Sequence, residues 1–175
     1  GFYIGKSGGI LNAILGSLYL ATAATILATI IGIPISIYLN LYIKSGSLIA
    51  KASKLLFDVL YGIPSIVYGA IAFSMMVWLG IRASLLGGII TITLLTIPIV
   101  LRTIDELVKT IPIDLKNVTK ALGATRWEIA QVLLKYIKPG VFTAILLAFG
   151  RAIGDVAGVL LTTGFSDNLP KYLDE

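Results

Sequence analysis

The sequence predicts an all-α, polytopic membrane helix bundle, and three observations carry that prediction. The 175-residue chain is 57% hydrophobic and only 13% charged, with a mean hydropathy of +0.97. Soluble domains carry about 25% charged residues, so this chain has too little polar surface to cover a water-facing globule. Second, its uncharged stretches are long. There are 37 residues between Lys6 and Lys44, 23 between Asp58 and Arg82 and 19 between Arg82 and Arg102. A further 28 residues from Pro139 to Ser166 are interrupted only by Arg151 and Asp155. A membrane-crossing helix needs roughly 20 apolar residues. Third, most of the charges, 15 of 23, cluster in two segments, 44–58 and 102–138.

Taken in order, the predicted spans are about 9–43, 50–80, 84–103 and 139–164. The first is longer than one crossing requires, so it must tilt, extend into water or bend at Gly32-Ile33-Pro34. The second contains Gly62-Ile63-Pro64-Ser65, read as a break between a helix ending near Tyr61 and another starting at Ser65. Pro98 interrupts the third. Proline removes a backbone donor and clashes with the preceding turn, so breaks in three successive spans fit a moving or cavity-lining bundle. Pro139 instead marks the start of the fourth helix, where proline is well tolerated. Gly150, Gly154 and Gly158 on that helix form a small-xxx-small series that admits a close helix neighbour.

Lysine and arginine positions orient the bundle. Lys44, Lys51, Lys54, Arg102, Lys109, Lys116, Lys120, Arg126, Lys135 and Lys138 lie on one side, and Lys6, Arg82 and Lys171 on the other. The positive-inside rule places 44–55 and 102–138 in the cytoplasm and both termini outside. The net charge of +5 is then loop charge beside a membrane, not a nucleic-acid footprint. Cysteine and histidine are absent, which excludes disulfides and removes the commonest metal ligand and general base. The chain starts at Gly1 with no basic region before the first span, which argues against a secretory signal peptide. Gly5-Lys6-Ser7 resembles the end of a phosphate-binding loop, but the upstream glycine and strand are missing.

Arg151 and Asp155 lie four residues apart on the fourth helix, on one face and within pairing reach. A lone charge at mid-bilayer costs at least about 2.5–3.5 kcal/mol. Two readings are open: a structural salt bridge, or an aqueous path in which Asp155 holds the Arg151 guanidinium toward an oxyanion, whose geometry its paired donors suit.

Residues 102–138 read as helices. Asp114 is a candidate N-cap, Leu115, Val118, Ala121 and Leu122 give an apolar face, and Gly123 suits a left-handed C-terminal position. Thr125-Arg126-Trp127-Glu128 is a capping box opening a second helix. Such a helix–Gly–helix unit fits either a groove on a soluble partner or a lipid surface.

The run Ile111-Pro-Ile-Asp-Leu-Lys-Asn-Val-Thr-Lys-Ala-Leu-Gly-Ala-Thr-Arg-Trp127 resembles the "EAA" loop of ABC-importer permeases, V-P-x-x-L-R-E-A-A-x-A-L-G-A-[ST]-x-W. Further stretches resemble the phosphate-uptake permeases: Gly8-Gly9-Ile10 with Gly16-Ser17-Leu18-Tyr19, Gly62-Ile-Pro-Ser-Ile-Val-Tyr-Gly69, Arg102-Thr-Ile-Asp-Glu106, Pro139-Gly140 and Arg151-Ala-Ile-Gly-Asp155. The chain departs from the pattern at Asn117, Val118 and Thr119, where the loop's Glu and two alanines stand, and at Asp155, where the family has Glu. The stretch after Trp127 is one residue short, and the proline expected before Pro139-Gly140 is replaced by Lys135 or Tyr136.

The resemblance implies a type I importer permease core in one transmembrane domain over 1–175, without the family's first and last helices, in the plasma (inner) membrane of a prokaryote. It implies a phosphate pathway that includes Arg151, Asp155 and Ser65. It implies ATPase coupling through 114–124, with Asn117, Val118, Thr119, Ala121, Leu122, Gly123 and Ala124 at the contact. The chain would bind no cofactor itself, with ATP and Mg on a separate ATPase subunit. A second permease subunit, an extracytoplasmic phosphate-binding protein and membrane lipid are the other expected partners. Another oxyanion such as molybdate or sulfate, or a passive channel or membrane scaffold, are the alternatives.

Overall fold

A computed structural model describes residues 9–44, 46–80 and 84–155. All regular structure among them is helical: α1 (Gly9–Tyr42), α2 (Leu48–Gly62), α3 (Ser65–Trp78), α4 (Leu85–Lys109), α5 (Ile113–Ala121) and α6 (Arg126–Gly154). Of these, α1, α4 and α6 are long and apolar enough to cross a membrane, and α2 with α3 makes a fourth candidate if the bent pair counts as one span. The all-α membrane bundle is therefore observed. The outer-side charges Lys6, Arg82 and Lys171, the Gly5-Lys6-Ser7 stretch, Gly8, Gly158 and the fourth span beyond residue 155 lie outside the described residues.

Helix starts follow local chemistry. Ser47 Oγ accepts from the Ala50 amide at 3.2 Å and Ser84 Oγ from the Gly87 amide at 3.2 Å. Each satisfies one of the orphan donors of a first turn, at α2 and α4 respectively.

Three sequence expectations are corrected. Pro34 and Pro98 do not break their spans; each lies inside an unbroken helix. Of the three proline breaks expected, only Gly62-Ile63-Pro64 separates two helices among the described residues. Pro139 does not start a helix but sits well inside α6, which begins at Arg126. The reason is visible in the packing. Ile129, Leu133, Ile137, Ala144 and Ala148 are all buried in one cluster, at helical spacings that run straight through Pro139. That shared apolar stripe offsets the lost backbone bond, worth about 3 kcal/mol with its clash. Finally, α4 continues to Lys109, past the expected end at 103. Its charged residues support the extension as i,i+4 pairs, Arg102 Nε–Glu106 Oε1 at 3.6 Å and Lys109 Nζ–Asp105 Oδ2 at 2.7 Å. Charge there marked where the helix leaves the apolar layer, not where it ends.

The chain divides into two compact units, one of 1–27, 63–96 and 149–175, the other of 28–62 and 97–148. In the first, Leu20, Ala21 and Ala24 of α1 pack with Leu85, Ile89 and Ile92 of α4 and Ala152 of α6. Ala21 and Ala24 are fully buried; their small side chains let helices approach closely, as membrane packing favours. The hydroxyls of Thr91, Thr93 and Thr96 donate to carbonyls one turn back at 2.6–2.8 Å, so α4 carries buried threonines without orphaned donors.

In the second unit, Val100, Ile104, Val108 and Ile111 meet Ile129, Leu133 and Ile137 of α6 and Ala28 of α1. Approach is tightest at two glycines. A Cβ at Gly32 would lie 2.8 Å from Val100 Cγ1, and one at Gly140 would overlap Leu107.

Candidate functional site

The cytoplasmic segment is built as helix, glycine turn, helix. Its first helix is α5. Asp114 is not its N-cap: Pro112 occupies that position without a side-chain cap bond, and Asp114 falls in the first turn. There its charge still suits the positive end of the helix dipole. At the other end Gly123 has φ +80°. Its amide donates to Lys120 O at 3.0 Å and the Ala124 amide to Thr119 O at 3.3 Å. These are the two crossed bonds of a Schellman turn, which needs a left-handed residue at its centre.

Two residues later the expected capping box is present in full. The Glu128 amide donates to Thr125 Oγ1 at 3.3 Å, and Glu128 Oε2 accepts from the Thr125 amide at 2.7 Å and from its hydroxyl at 2.8 Å. Those bonds, the backbone amide first, hold the Glu128 carboxyl below its ordinary value in the aqueous first turn of α6. The glycine turn and the cap thus fix where α5 ends and how α6 leaves.

Between them lies an open groove of about 510 Å³, lined by Thr119, Leu122, Gly123, Ala124, Glu128, Gln131, Val132 and Lys135. Four of the seven predicted coupling residues, Thr119, Leu122, Gly123 and Ala124, line it. Asn117, Val118 and Ala121 are exposed on α5 outside that lining. The apolar face expected on α5 is divided between the core and the outside. Leu115 packs on the core, whereas Leu122 is 82% exposed and Val118 56%. Trp127 and Ile113 are also exposed, so the segment presents large apolar side chains around a groove.

Contacts tie this segment to the helices above it. The Arg126 guanidinium lies 4.8 Å from the Tyr42 ring centroid, and its Nη1 donates to Leu41 O at 3.5 Å. Tyr42 in turn stacks on Tyr38 at 5.0 Å. Asn40 donates to Asp105 Oδ1 at 3.1 Å, and Arg102 pairs with Asp58 at 3.4 Å and covers the Tyr61 ring at 5.0 Å. The ends of α1, α2, α4 and the start of α6 share one layer of polar contacts. The sequence predicted none of these contacts of Arg126, Tyr42, Tyr61 or Asn40. Tyrosines flanking apolar runs are an interface signal, but their partners are 40 to 85 residues away.

In the other unit, Arg151 Nε donates to Asp155 Oδ2 at 2.6 Å, and Asp155 is the better sheltered, with 15% of its side chain exposed against 39% for Arg151. The predicted pair therefore forms, between the last turn of α6 and the residue that follows it. Tyr68 of α3, within the Gly62–Gly69 stretch and given no role by the sequence, is half-buried in the same unit. Ser65, predicted on the pathway, is the half-buried first residue of α3, one turn before Tyr68. An arginine steadied through Nε by a carboxylate has the donor chemistry to meet an oxyanion.

Residues 32–171 match the model of the family described as binding-protein-dependent transport system inner membrane component. Curated relatives are similar along most of the chain. A phosphate transport system permease protein PstA of Yersinia pestis is 37% identical over 157 residues, 89% of this chain and 53% of that protein. The protein of the same name from Haemophilus influenzae is 34% identical over 158 residues, 90% and 56%. PstA 1 of Mycobacterium tuberculosis is 32% identical over 165 residues, 93% and 54%. The chain spans about half the length of the curated relatives it matches.

Proposed function

We propose, on the premise that this chain belongs to the binding-protein-dependent transport system inner membrane component family, that it forms part of the permease of an ATP-driven phosphate importer. Relatives named as phosphate transport permeases support the substrate; none of those reported favours molybdate or sulfate. The observation that carries the coupling role is the exposed α5–α6 groove, held by the Gly123 turn and the Thr125 cap. Bounded by the turn and the cap, apolar-rimmed and short, the unit suits a partner's cleft better than a lipid surface.

In this reading ATP and Mg act on a separate ATPase subunit, a second permease completes the pathway, and an extracytoplasmic binding protein delivers phosphate. ATP-driven closure of the ATPases moves α5. The Arg126–Tyr42 contact and the shared α4–α6 core then carry that displacement into the membrane helices. Coupling acts by favouring one of two conformations. Arg151, steadied by Asp155, meets the anion.

The test is uptake of radiolabelled phosphate by vesicles carrying the assembled transporter. Arg151→Ala should abolish uptake while leaving the ATPase subunit bound. Wild-type uptake by that variant would remove Arg151 from the pathway. Failure of any nucleotide-binding subunit to co-purify would favour a passive channel or scaffold.

A further inference from the structure

The helix α2 was expected to be the first half of a membrane crossing, and its structure points elsewhere. Its 15 residues reach about 22 Å, short of the roughly 30 Å hydrocarbon layer. None of its residues is buried. On the helical wheel Leu48, Leu55 and Val59 share one arc, flanked by Ile49 and Leu56, and all five are more than half exposed. Lys51, Lys54 and Asp58 occupy another arc, while Phe57 and Leu60 on a third face are half-buried. The side against the protein is thus already taken, and a separate apolar side is left open next to a basic one.

The level of the helix is set by Arg102. That residue begins the charged end of α4, pairs with Asp58 and covers Tyr61. The C-terminal turn of α2 is therefore held where α4 leaves the apolar layer. Because Asp58 is engaged by Arg102, the lysines are the charges α2 offers outward, and no acidic residue occurs from 43 to 57.

We propose that α2 lies flat in the cytoplasmic headgroup layer, with Leu48, Leu55 and Val59 in the acyl boundary and Lys51 and Lys54 holding anionic phospholipid. The proposal rests on the permease reading and its orientation. It deepens the lipid contact from a passive surround to a specific site. Basic amphipathic helices bind this way, with the apolar face about 5–10 Å below the headgroups. Long lysine stems reach the phosphates from that depth, and the cytoplasmic leaflet supplies the negative charge.

The test uses the assembled transporter in vesicles of phosphatidylcholine with or without phosphatidylglycerol. Single cysteines at Leu55, Val59 and Lys51 carry spin labels. Labels at 55 and 59 should be reached by oxygen and shielded from a water-soluble nickel chelate, at shallow depth, while the label at 51 is reached by nickel. In parallel, the Lys51→Gln/Lys54→Gln variant should lose phosphatidylglycerol retention about 25-fold, near five-fold per lysine, with phosphatidylcholine retention unchanged. Lys51→Arg/Lys54→Arg should keep it. Shielding of Leu55 from both reagents would mean that a protein subunit covers α2 and would overturn the proposal. Deep burial of all three labels would mean a crossing, and equal lipid retention in the glutamine variant would remove the anionic site. Phosphate uptake by the parent in the same vesicles tests the transport reading separately, since label accessibility does not depend on substrate.

Discussion

Replacing Gly123 isolates backbone conformation from sterics, because its surroundings are empty. With φ at +80°, any L side chain meets its own backbone, yet a Cβ there would find no heavy atom within 4 Å. The penalty for Gly123→Ala is then the left-handed term alone, about 1–2 kcal/mol, and Gly123→Val stands higher because β-branching makes that region a genuine outlier. About 1–2 kcal/mol is a 5–30-fold shift in a two-state population. It falls on a turn held by two crossed bonds, Gly123 to Lys120 and Ala124 to Thr119. Asparagine tolerates the left-handed region better than alanine although it is larger. The expected order of harm is therefore Asn, then Ala, then Val, whereas a steric account gives Ala, then Asn, then Val. The assay is phosphate taken up per ATP hydrolysed by the assembled transporter, with amide exchange at 119–124 as the structural readout. Exchange should speed up in the same order as coupling weakens. Tight, coupled uptake by Gly123→Val, or Asn worse than Ala, would refute the reasoning.

Other outcomes follow from single contacts. Gly32→Ala drives a methyl within 2.8 Å of Val100 Cγ1, so unfolding in mixed micelles should show a loss of about 1–3 kcal/mol. Adding Val100→Ala should restore part of it, and strict additivity would contradict the close approach of α1 and α4. Thr125→Ala removes the hydroxyl of the cap and should destabilise the start of α6 by about 1 kcal/mol, visible as faster amide exchange at 126–129. The Glu128 half of the same cap depends on its charge. Its carboxyl is held below the ordinary value, so the contribution is present at neutral pH and lost as pH falls through that lowered value. Glu128→Gln should flatten this acid dependence of exchange at 126–129. Arg102→Ala breaks a pair that is half exposed on both sides, so global stability should change by less than about 1 kcal/mol. A label on α2 should nonetheless become more mobile.

Much of the architecture was legible because its signals are local or compositional. Charge-free lengths marked the apolar stretches of α1 and α4, and the Thr125–Glu128 spacing marked a helix start at Arg126, though not that this helix runs on through Pro139, since both halves of a capping box lie within one turn. Gly123 was legible for the same reason. The Arg151–Asp155 pair was too, being one helical turn apart. The layer joining Asn40 to Asp105, Arg102 to Asp58 and Arg126 to Tyr42 was not. Each partner is an ordinary polar residue near a helix end, and only the packing of distant segments selects which one it meets.

The sequence by itself determined that the chain is a set of apolar helices with a short capped unit between two of them, because hydrophobic length and cap chemistry act within a few residues. It did not determine which prolines break a helix. The tripeptide Gly-Ile-Pro occurs twice, at 32–34 and 62–64, with opposite results. Gly32 is pressed against Val100 within the buried face of α1, and the helix continues. Gly62 is exposed, with nothing within 4 Å of where a side chain would begin, and the helix ends there. The local penalty of proline is the same at both sites. Tertiary packing supplies the energy that outweighs it at Pro34 and is absent at Pro64, and that difference sets α2 free to lie apart from a crossing.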